Sequence, residues 1–279
     1  MRFGGPVFKK CNDAKEWVAA VKASGYSAAF CPLKTDTDSK TIQSYEQASL
    51  KNDVVIAEVG AWSNPLSPDK KTAKTALLHC KKSLALAEAV GARCCVNIAG
   101  SRGVKWDGPS SLDLTTETFE MIVAKVRCII DAVKPKRTFY ALETMPWMYP
   151  NSPEVYLDLI KAIDRKQFAV HFDPVNMINS PEKYFKNAEI IKTFVKKLGK
   201  YIKSCHAKDI KLQENLTTHL DEVRPGLGNL DYRVYLKEID GLSDRNLPVL
   251  LEHLPNEREY LKAAEFFRSK AKAEGISLQ

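Results

Sequence analysis

The stretch Phe168-Ala-Val-His-Phe-Asp-Pro-Val-Asn176 is an apolar run that ends in two polar side chains and is stopped by Pro174. In an extended chain alternate side chains share a face, so His171 and Asp173 point one way and Phe172 the other. Polar groups at the end of an otherwise buried strand are costly unless something pairs with them. Three further apolar runs, residues 139–143, 202–206 and 249–252, end in the same manner. Four strands therefore deliver Glu143, Asp173, His206 and Glu252. The remaining sequence reads as scaffold that gathers them.

Working outward, strands alternate with helices throughout. After the strand at 138–143, Ser152-Pro153-Glu154 opens a helix to 164, and after the strand at 168–173, Ser180-Pro181-Glu182 opens one running to Gly199. The strand at 202–206 leads through a glycine-bearing loop to a helix at 231–239; a strand at 248–252 and a helix at 257–273 follow. The first half carries strands at 2–8, 27–32, 54–60 and 93–100, with helices at 13–24, 39–51, from Ser67-Pro68-Asp69 to Gly91, and 115–133. In the third helix Ala73, Leu77, Cys80, Leu84 and Ala87 form one apolar face. The three Ser-Pro-acidic openings are one device: a capping hydroxyl, a preset φ, then a charge favourable to the helix dipole. Eight strand–helix units in 279 residues predict a single (β/α)8 TIM barrel spanning 1–279. A doubly wound sheet fits less well, since Gly4-Gly5-Pro6 is no dinucleotide fingerprint.

Composition narrows the class. Hydrophobic content of 44% and charged content of 27% are those of a soluble globular protein, and no apolar stretch approaches a membrane span. The Met-Arg-Phe-Gly-Gly-Pro start carries no signal-peptide apolar region, so the expected location is cytoplasmic. Seven cysteines without metal-type spacing argue against a disulfide framework. The net charge of +8 is spread over helical lysines such as Lys70, Lys71, Lys74, Lys192 and Lys196, which reads as a solvated surface compatible with a phosphorylated substrate.

In such barrels the site lies at the C-terminal ends of the strands, where Glu143, Asp173, His206 and Glu252 fall on strands five to eight. Singly, each has a plain explanation as a helix cap or a satisfied core residue. Together they would crowd like charges at one rim, and a divalent cation is the natural remedy. Three carboxylates and an imidazole suit Mn²⁺ first, with Mg²⁺, Co²⁺ or Zn²⁺ as alternatives.

Glu143 in Ala-Leu-Glu-Thr, Asp173 in His-Phe-Asp-Pro-Val-Asn, His206 in His-Ala-Lys-Asp, the Pro-Gly-Leu-Gly-Asn-Leu-Asp loop and Glu252 in Leu-Leu-Glu-His resemble the xylose isomerase-like TIM barrels, within them the sugar phosphate isomerase/epimerase branch. The resemblance implies metal-assisted proton transfer beside a carbonyl of a small carbohydrate. Glu143 and Glu252 would exchange the proton through a metal-stabilised enediolate, and all four residues would hold the ion. His171, which shares the face of Asp173, would orient a ligand or touch substrate, or merely pack. Lys208 and Asp209 stand as rim residues contacting substrate, although an Asp capping a loop is the alternative. Trp62 would form an aromatic wall or simply pack, and Gly226 and Gly228 would approach a phosphate or form a tight turn. Asn176, counted with the substrate contacts, stands where the ketose 3-epimerase pattern has a histidine. The loop 145–149 lacks the glutamate of that pattern, so the resemblance implies a reaction class rather than a substrate. Elimination from a keto-sugar keeps the same first step. A sugar-binding barrel without turnover is disfavoured by the intact ligand set. A three-zinc nuclease would need histidines where Cys31-Pro32 and Gly60-Ala61-Trp62 end strands two and three, and His219-Leu220-Asp221 reverses the expected order. The expected partner is thus a carbohydrate, with neither nucleic acid nor membrane, and the sequence is compatible with a homo-oligomer.

Overall fold

A computed structural model describes all residues from Met1 to Gln279. Strands β1 (Arg2–Gly5), β2 (Ala28–Phe30), β3 (Val55–Gly60), β4 (Cys94–Asn97), β5 (Phe139–Glu143), β6 (Phe168–Phe172) and β7 (Ile202–Ala207) follow one another around a parallel ring. The chain then makes an antiparallel hairpin, β8 (Asp209–Gln213) with β9 (His219–Val223), before β10 (Pro248–Leu251) closes the ring between β7 and β1. The sequence predicts eight barrel strands, and eight are present. The hairpin replaces the expected irregular loop: Ile210 and Leu212 alternate with charged residues, a period-2 pattern that the nearby glycines obscure.

Helices α1 (Ala14–Ala23), α2 (Ser39–Lys51), α3 (Lys70–Val90), α4 (Thr116–Val133), α5 (Pro153–Ile163), α6 (Pro181–Phe185), α7 (Asn187–Leu198), α8 (Tyr232–Asp240) and α9 (Glu257–Ala273) connect the strands. Ser152 and Ser180 cap α5 and α6 as expected, accepting from the N–H groups of Val155 and Lys183. At α3 the cap is Asp69, which accepts from Thr72 N–H at 2.7 Å, so Pro68 lies ahead of the helix and not in its first turn. The helix predicted from Ser180 to Gly199 breaks at Lys186. The buried Asn187 is the physical reason. Its amide donates to Tyr184 O (2.7 Å) and Asn229 O (3.0 Å) and accepts from Asp231 N–H, binding the break to the start of α8.

Strands buried on both faces explain the unbroken apolar runs. Their outward residues, Phe172, Cys205 and Val249 among them, join the large core beneath the helices, where Phe172 stacks on Phe194 at 4.3 Å. Inside the ring the side chains are small. Cys94, Val96, Ala141 and Ala169 form one cluster, and Ala28, Ala57 and Leu250 another. At Gly4 a Cβ would lie 1.9 Å from the Ala28 carbonyl oxygen, so β1 and β2 approach as closely as they do only with glycine there. This narrow interior turns polar toward the C-terminal ends of the strands.

Candidate active site

Parallel register sets Glu143 beside His171 and His206 beside Leu250, which brings the strand-end residues to one depth. His206 Nδ1 lies 3.2 Å from Glu143 Oε1, 2.9 Å from Glu252 Oε2 and 3.8 Å from Asp173 Oδ2. The ligand atoms offered by these four residues all fall within 4.8 Å of one another. The turn after Pro174 aims Asp173: Oδ1 accepts the N–H of Val175 (2.9 Å) and of Asn176 (3.3 Å), and Oδ2 faces the cluster. Asn176 Nδ2 donates to Glu143 Oε1 at 3.1 Å and so orients that carboxylate. The four side chains named from the strand ends are brought together.

Lys208 occupies the middle of this group rather than its rim. Its side chain is 1% exposed, with Nζ 2.9 Å from Asp173 Oδ2, 2.8 Å from Glu252 Oε2 and 3.7 Å from Glu143 Oε1. Burial works against every charge here. Nonetheless Lys208 and His206 hold the Asp173 carboxyl well below the usual carboxylate range, and His206 and Lys208 do the same for Glu252. Burial likewise opposes charge on His206, yet the Glu252 and Glu58 carboxylates keep its pKa well above the ordinary imidazole value.

Asp209 does not reach the cluster. Its carboxylate accepts four backbone N–H groups, those of Ile210, Gly226, Gly228 and Leu230, at 2.9–3.0 Å. The Gly226 and Gly228 donors expected to face a phosphate are thereby turned onto Asp209. At Gly228 a Cβ would meet Asp209 Oδ1 at 2.3 Å, which explains the glycine as a packing requirement. Trp62 lies 40% exposed over Gly60, beside a cavity of about 730 Å³ that Phe30, Cys31 and Glu58 also line. His219 is exposed on the hairpin, its Nδ1 2.6 Å from Thr217 O.

Two residues of the site were not singled out from the sequence. Glu222 on β9 pairs with His253 Nδ1 at 3.2 Å and comes within 3.9 Å of Lys208 Nζ, so the hairpin borders the cluster. Glu58 on β3 is 1% exposed. Its Oε1 lies 3.0 Å from His171 Nε2 and accepts from the Ser204 hydroxyl, and its Oε2 lies 3.4 Å from His206 Nε2. A signal for Glu58 existed: one carboxylate inside the apolar run Val-Val-Ile-Ala-Glu-Val-Gly, a cost that demands a partner.

The residues present fit a divalent cation. Four buried or nearly buried carboxylates, Glu58, Glu143, Asp173 and Glu252, face one ammonium and two imidazoles. Asp173 Oδ2 and Glu252 Oε2 accept no aligned hydrogen bond despite the nearby Lys208. The set of three carboxylate oxygens and one imidazole nitrogen is hard to borderline, as Mg²⁺, Mn²⁺, Co²⁺ or Zn²⁺ require.

Residues 18–270 match the family model described as xylose isomerase-like TIM barrel. No curated protein matches the sequence. Among solved structures, a D-psicose 3-epimerase from Clostridium cellulolyticum H10 with D-tagatose is 16% identical, covering 96% of this chain and 99% of its own, with a TM-score of 0.69. A probable 3-DHS dehydratase from Bacillus anthracis is 14% identical over 98% and 99% of the two chains, with a TM-score of 0.70. A xylose isomerase-like TIM barrel protein from Mycobacterium smegmatis in complex with magnesium is 15% identical over 94% and 89%, with a TM-score of 0.65. At these identities the likeness establishes the shared fold.

Proposed function

Since the chain belongs to the xylose isomerase-like TIM-barrel family, we propose that it is a divalent-metal-dependent sugar isomerase or epimerase acting on a keto-sugar or its phosphate. One observation carries this reading: Glu143 and Glu252 flank His206 Nδ1 at 3.2 and 2.9 Å, with Asp173 completing a polar pit where barrel enzymes place their chemistry. Glu143, Asp173, His206 and Glu252 would hold the ion, Mn²⁺ by preference. When bound, it supplies the Lewis acidity that polarises a ketone and its neighbouring hydroxyl.

The chain's own residues do the rest. One of Glu143 and Glu252 takes the proton from the carbon beside the carbonyl, and the other returns a proton to the opposite face of the enediolate. Asn176 fixes the direction of the Glu143 carboxylate. Lys208 Nζ, held between Asp173 and Glu252, offers a proton or a hydrogen bond to an oxygen of the substrate. His171 stands behind the cluster, facing Glu58, and acts on substrate only through its neighbours. Trp62 beside the open cavity provides an apolar wall for a sugar ring.

A second reading, elimination from a keto-sugar, is favoured by the buried ammonium of Lys208, an acid placed to protonate a departing hydroxyl. The two separate in one experiment. Keto-sugars and their phosphates are incubated with the Mn²⁺-loaded protein in D₂O and followed by NMR. Deuterium at the carbon beside the carbonyl, with inversion or isomerisation, supports the proposal; a conjugated enone supports elimination. Glu143→Gln is expected to lower exchange by about 10²–10⁴-fold. Exchange at the wild-type rate in that variant, or none with any keto-sugar in the wild type, counts against the reading.

A further inference from the structure

Behind the four-residue cluster lies a second, fully buried group: Glu58, His171, Ser204 and His206, each no more than 1% exposed. Its centre is a carboxylate with a histidine facing each oxygen. Oε1 takes the Ser204 hydroxyl and faces His171 Nε2 at 3.0 Å, and Oε2 faces His206 Nε2 at 3.4 Å. Glu58 Oε2 and His206 Nε2 make no aligned hydrogen bond, to each other or to any other group, so two buried and unpartnered polar atoms face each other. The His171 and His206 rings meet edge to face with centroids 4.1 Å apart, so neither can rotate without displacing the other. His206 thus spans two groups, with Nδ1 toward Glu143, Asp173 and Glu252 and Nε2 toward Glu58.

We propose that Glu58 is a positioning residue that fixes the tautomer and ring plane of His206, so that the Nδ1 lone pair is presented to a divalent ion held by Glu143, Asp173 and Glu252. This rests on the metal-site reading above. Hydrogen-bond chemistry fixes the tautomer. An ionised carboxylate only accepts, so a ring nitrogen that faces one carries a hydrogen: Nε2 toward Glu58 and, while no ion is bound, Nδ1 toward Glu143 and Glu252 as well. An ion held by Glu143, Asp173 and Glu252 would take the place of the Nδ1 hydrogen, and Glu58 would retain the one on Nε2. That leaves the neutral tautomer with its lone pair on Nδ1, the atom that points into the four-residue cluster. A carboxylate behind a ligating histidine also makes the ring more basic and holds its orientation. Ser204 and His171 serve Glu58 in turn: each directs a donor onto Oε1, which keeps the carboxylate in the plane that Oε2 needs. The same three side chains, Glu58, His171 and His206, could alternatively grip an ion themselves. The observations favour the hydrogen-bonded arrangement, because the Ser204 hydroxyl already occupies Oε1 and no fourth ligand faces the trio.

The test is Mn²⁺ binding to the full chain by isothermal titration calorimetry, wild type against Glu58→Gln, with the unfolding temperature of each protein recorded in EDTA. The expected result is one ion per wild-type chain and a Kd weakened about 10–100-fold in Glu58→Gln. Ser204→Ala, which removes only one donor to Glu58, should weaken binding less than Glu58→Gln. Wild-type affinity in a folded Glu58→Gln protein overturns the proposal, as does a second ion in the wild type that this variant loses. Absence of any binding to the wild type sinks the metal-site reading and this inference together, whereas binding unaffected by Glu58→Gln sinks the inference alone. If Glu58→Gln does not fold, the imidazole ¹⁵N spectrum of Mg²⁺-loaded wild type decides: a hydrogen on His206 Nε2 supports the assignment, and one on Nδ1 refutes it.

Discussion

Asp209 collects four backbone N–H groups, and that fixes what its loss should do. Asp209→Ala leaves the donors of Ile210, Gly226, Gly228 and Leu230 without their acceptor; the two on buried residues, Ile210 and Leu230, each carry a desolvation cost, and stability in urea unfolding should fall by about 3 kcal/mol. A substrate contact, as the sequence suggests, would instead raise KM and leave the unfolding midpoint where it was. Cys31 lines the same cavity as Phe30, Glu58 and Trp62, a place that would suit a nucleophile. Burial pushes its thiol up to about 11 from an ordinary 9. Near pH 8 its thiolate fraction is then about a hundredfold below that of an ordinary cysteine. Iodoacetamide at pH 8 should therefore label the exposed Cys128 and leave Cys31 largely unmodified, as peptide mass spectrometry would read; the reverse order would show Cys31 to be activated. The linkage has one sign. A raised pKa favours the neutral thiol in the fold, so that contribution is whole below pH 9 and is lost as pH rises through 11.

At the scale of elements, the corrected start of α3 separates two side chains that the sequence places side by side. Asp69 accepts from Thr72 N–H at 2.7 Å, whereas the Ser67 hydroxyl accepts only from Asp69 N–H at 3.2 Å, ahead of the helix. Asp69→Ala should lower the urea unfolding midpoint clearly and Ser67→Ala only slightly, with Ser152→Ala and Ser180→Ala near the former. Equal effects at 67 and 69 would restore the serine as cap. The same scale explains what could be read in advance. Glu143, Asp173, His206 and Glu252 each close an apolar run, so position along the chain encodes depth in the barrel. Glu58 sits two residues before the end of β3, and strict alternation from the inward Val55 would turn it toward the helices. The pairing of β2 with β3 slips there, Ala29 opposite Ile56 but Phe30 opposite Glu58, and the extra residue re-aims the carboxylate inward. Such an irregularity leaves no mark in composition. Nor does the depth of Lys208: its charge reads as surface until three carboxylates from different strands are brought around it.

For the molecule as a whole, the ring brings carboxylates from β5, β6 and β10 together on one side, and something positive must hold them there. In the chain itself Lys208 shares that role with His206, its ammonium lying 2.9 and 2.8 Å from Asp173 and Glu252. A divalent ion bound by the same side chains would neutralise the same charges. Mn²⁺ at a hundred times its Kd should thus add about 2.7 kcal/mol to wild-type stability, a rise of about 5 °C in melting temperature that EDTA reverses. Removing one partner of a buried ion pair is costly because the other charge is left uncompensated, by about 3–5 kcal/mol. Lys208→Met should therefore destabilise the EDTA-treated protein by that order, and Mn²⁺ should return more stability to this variant than it adds to the wild type. The comparison is a pair of thermal unfolding curves for each protein, with EDTA and with Mn²⁺. If Lys208→Met melts with the wild type in EDTA, the ammonium does not hold the carboxylates together. If Mn²⁺ shifts neither protein, the ring gathers its acids for some purpose other than binding an ion.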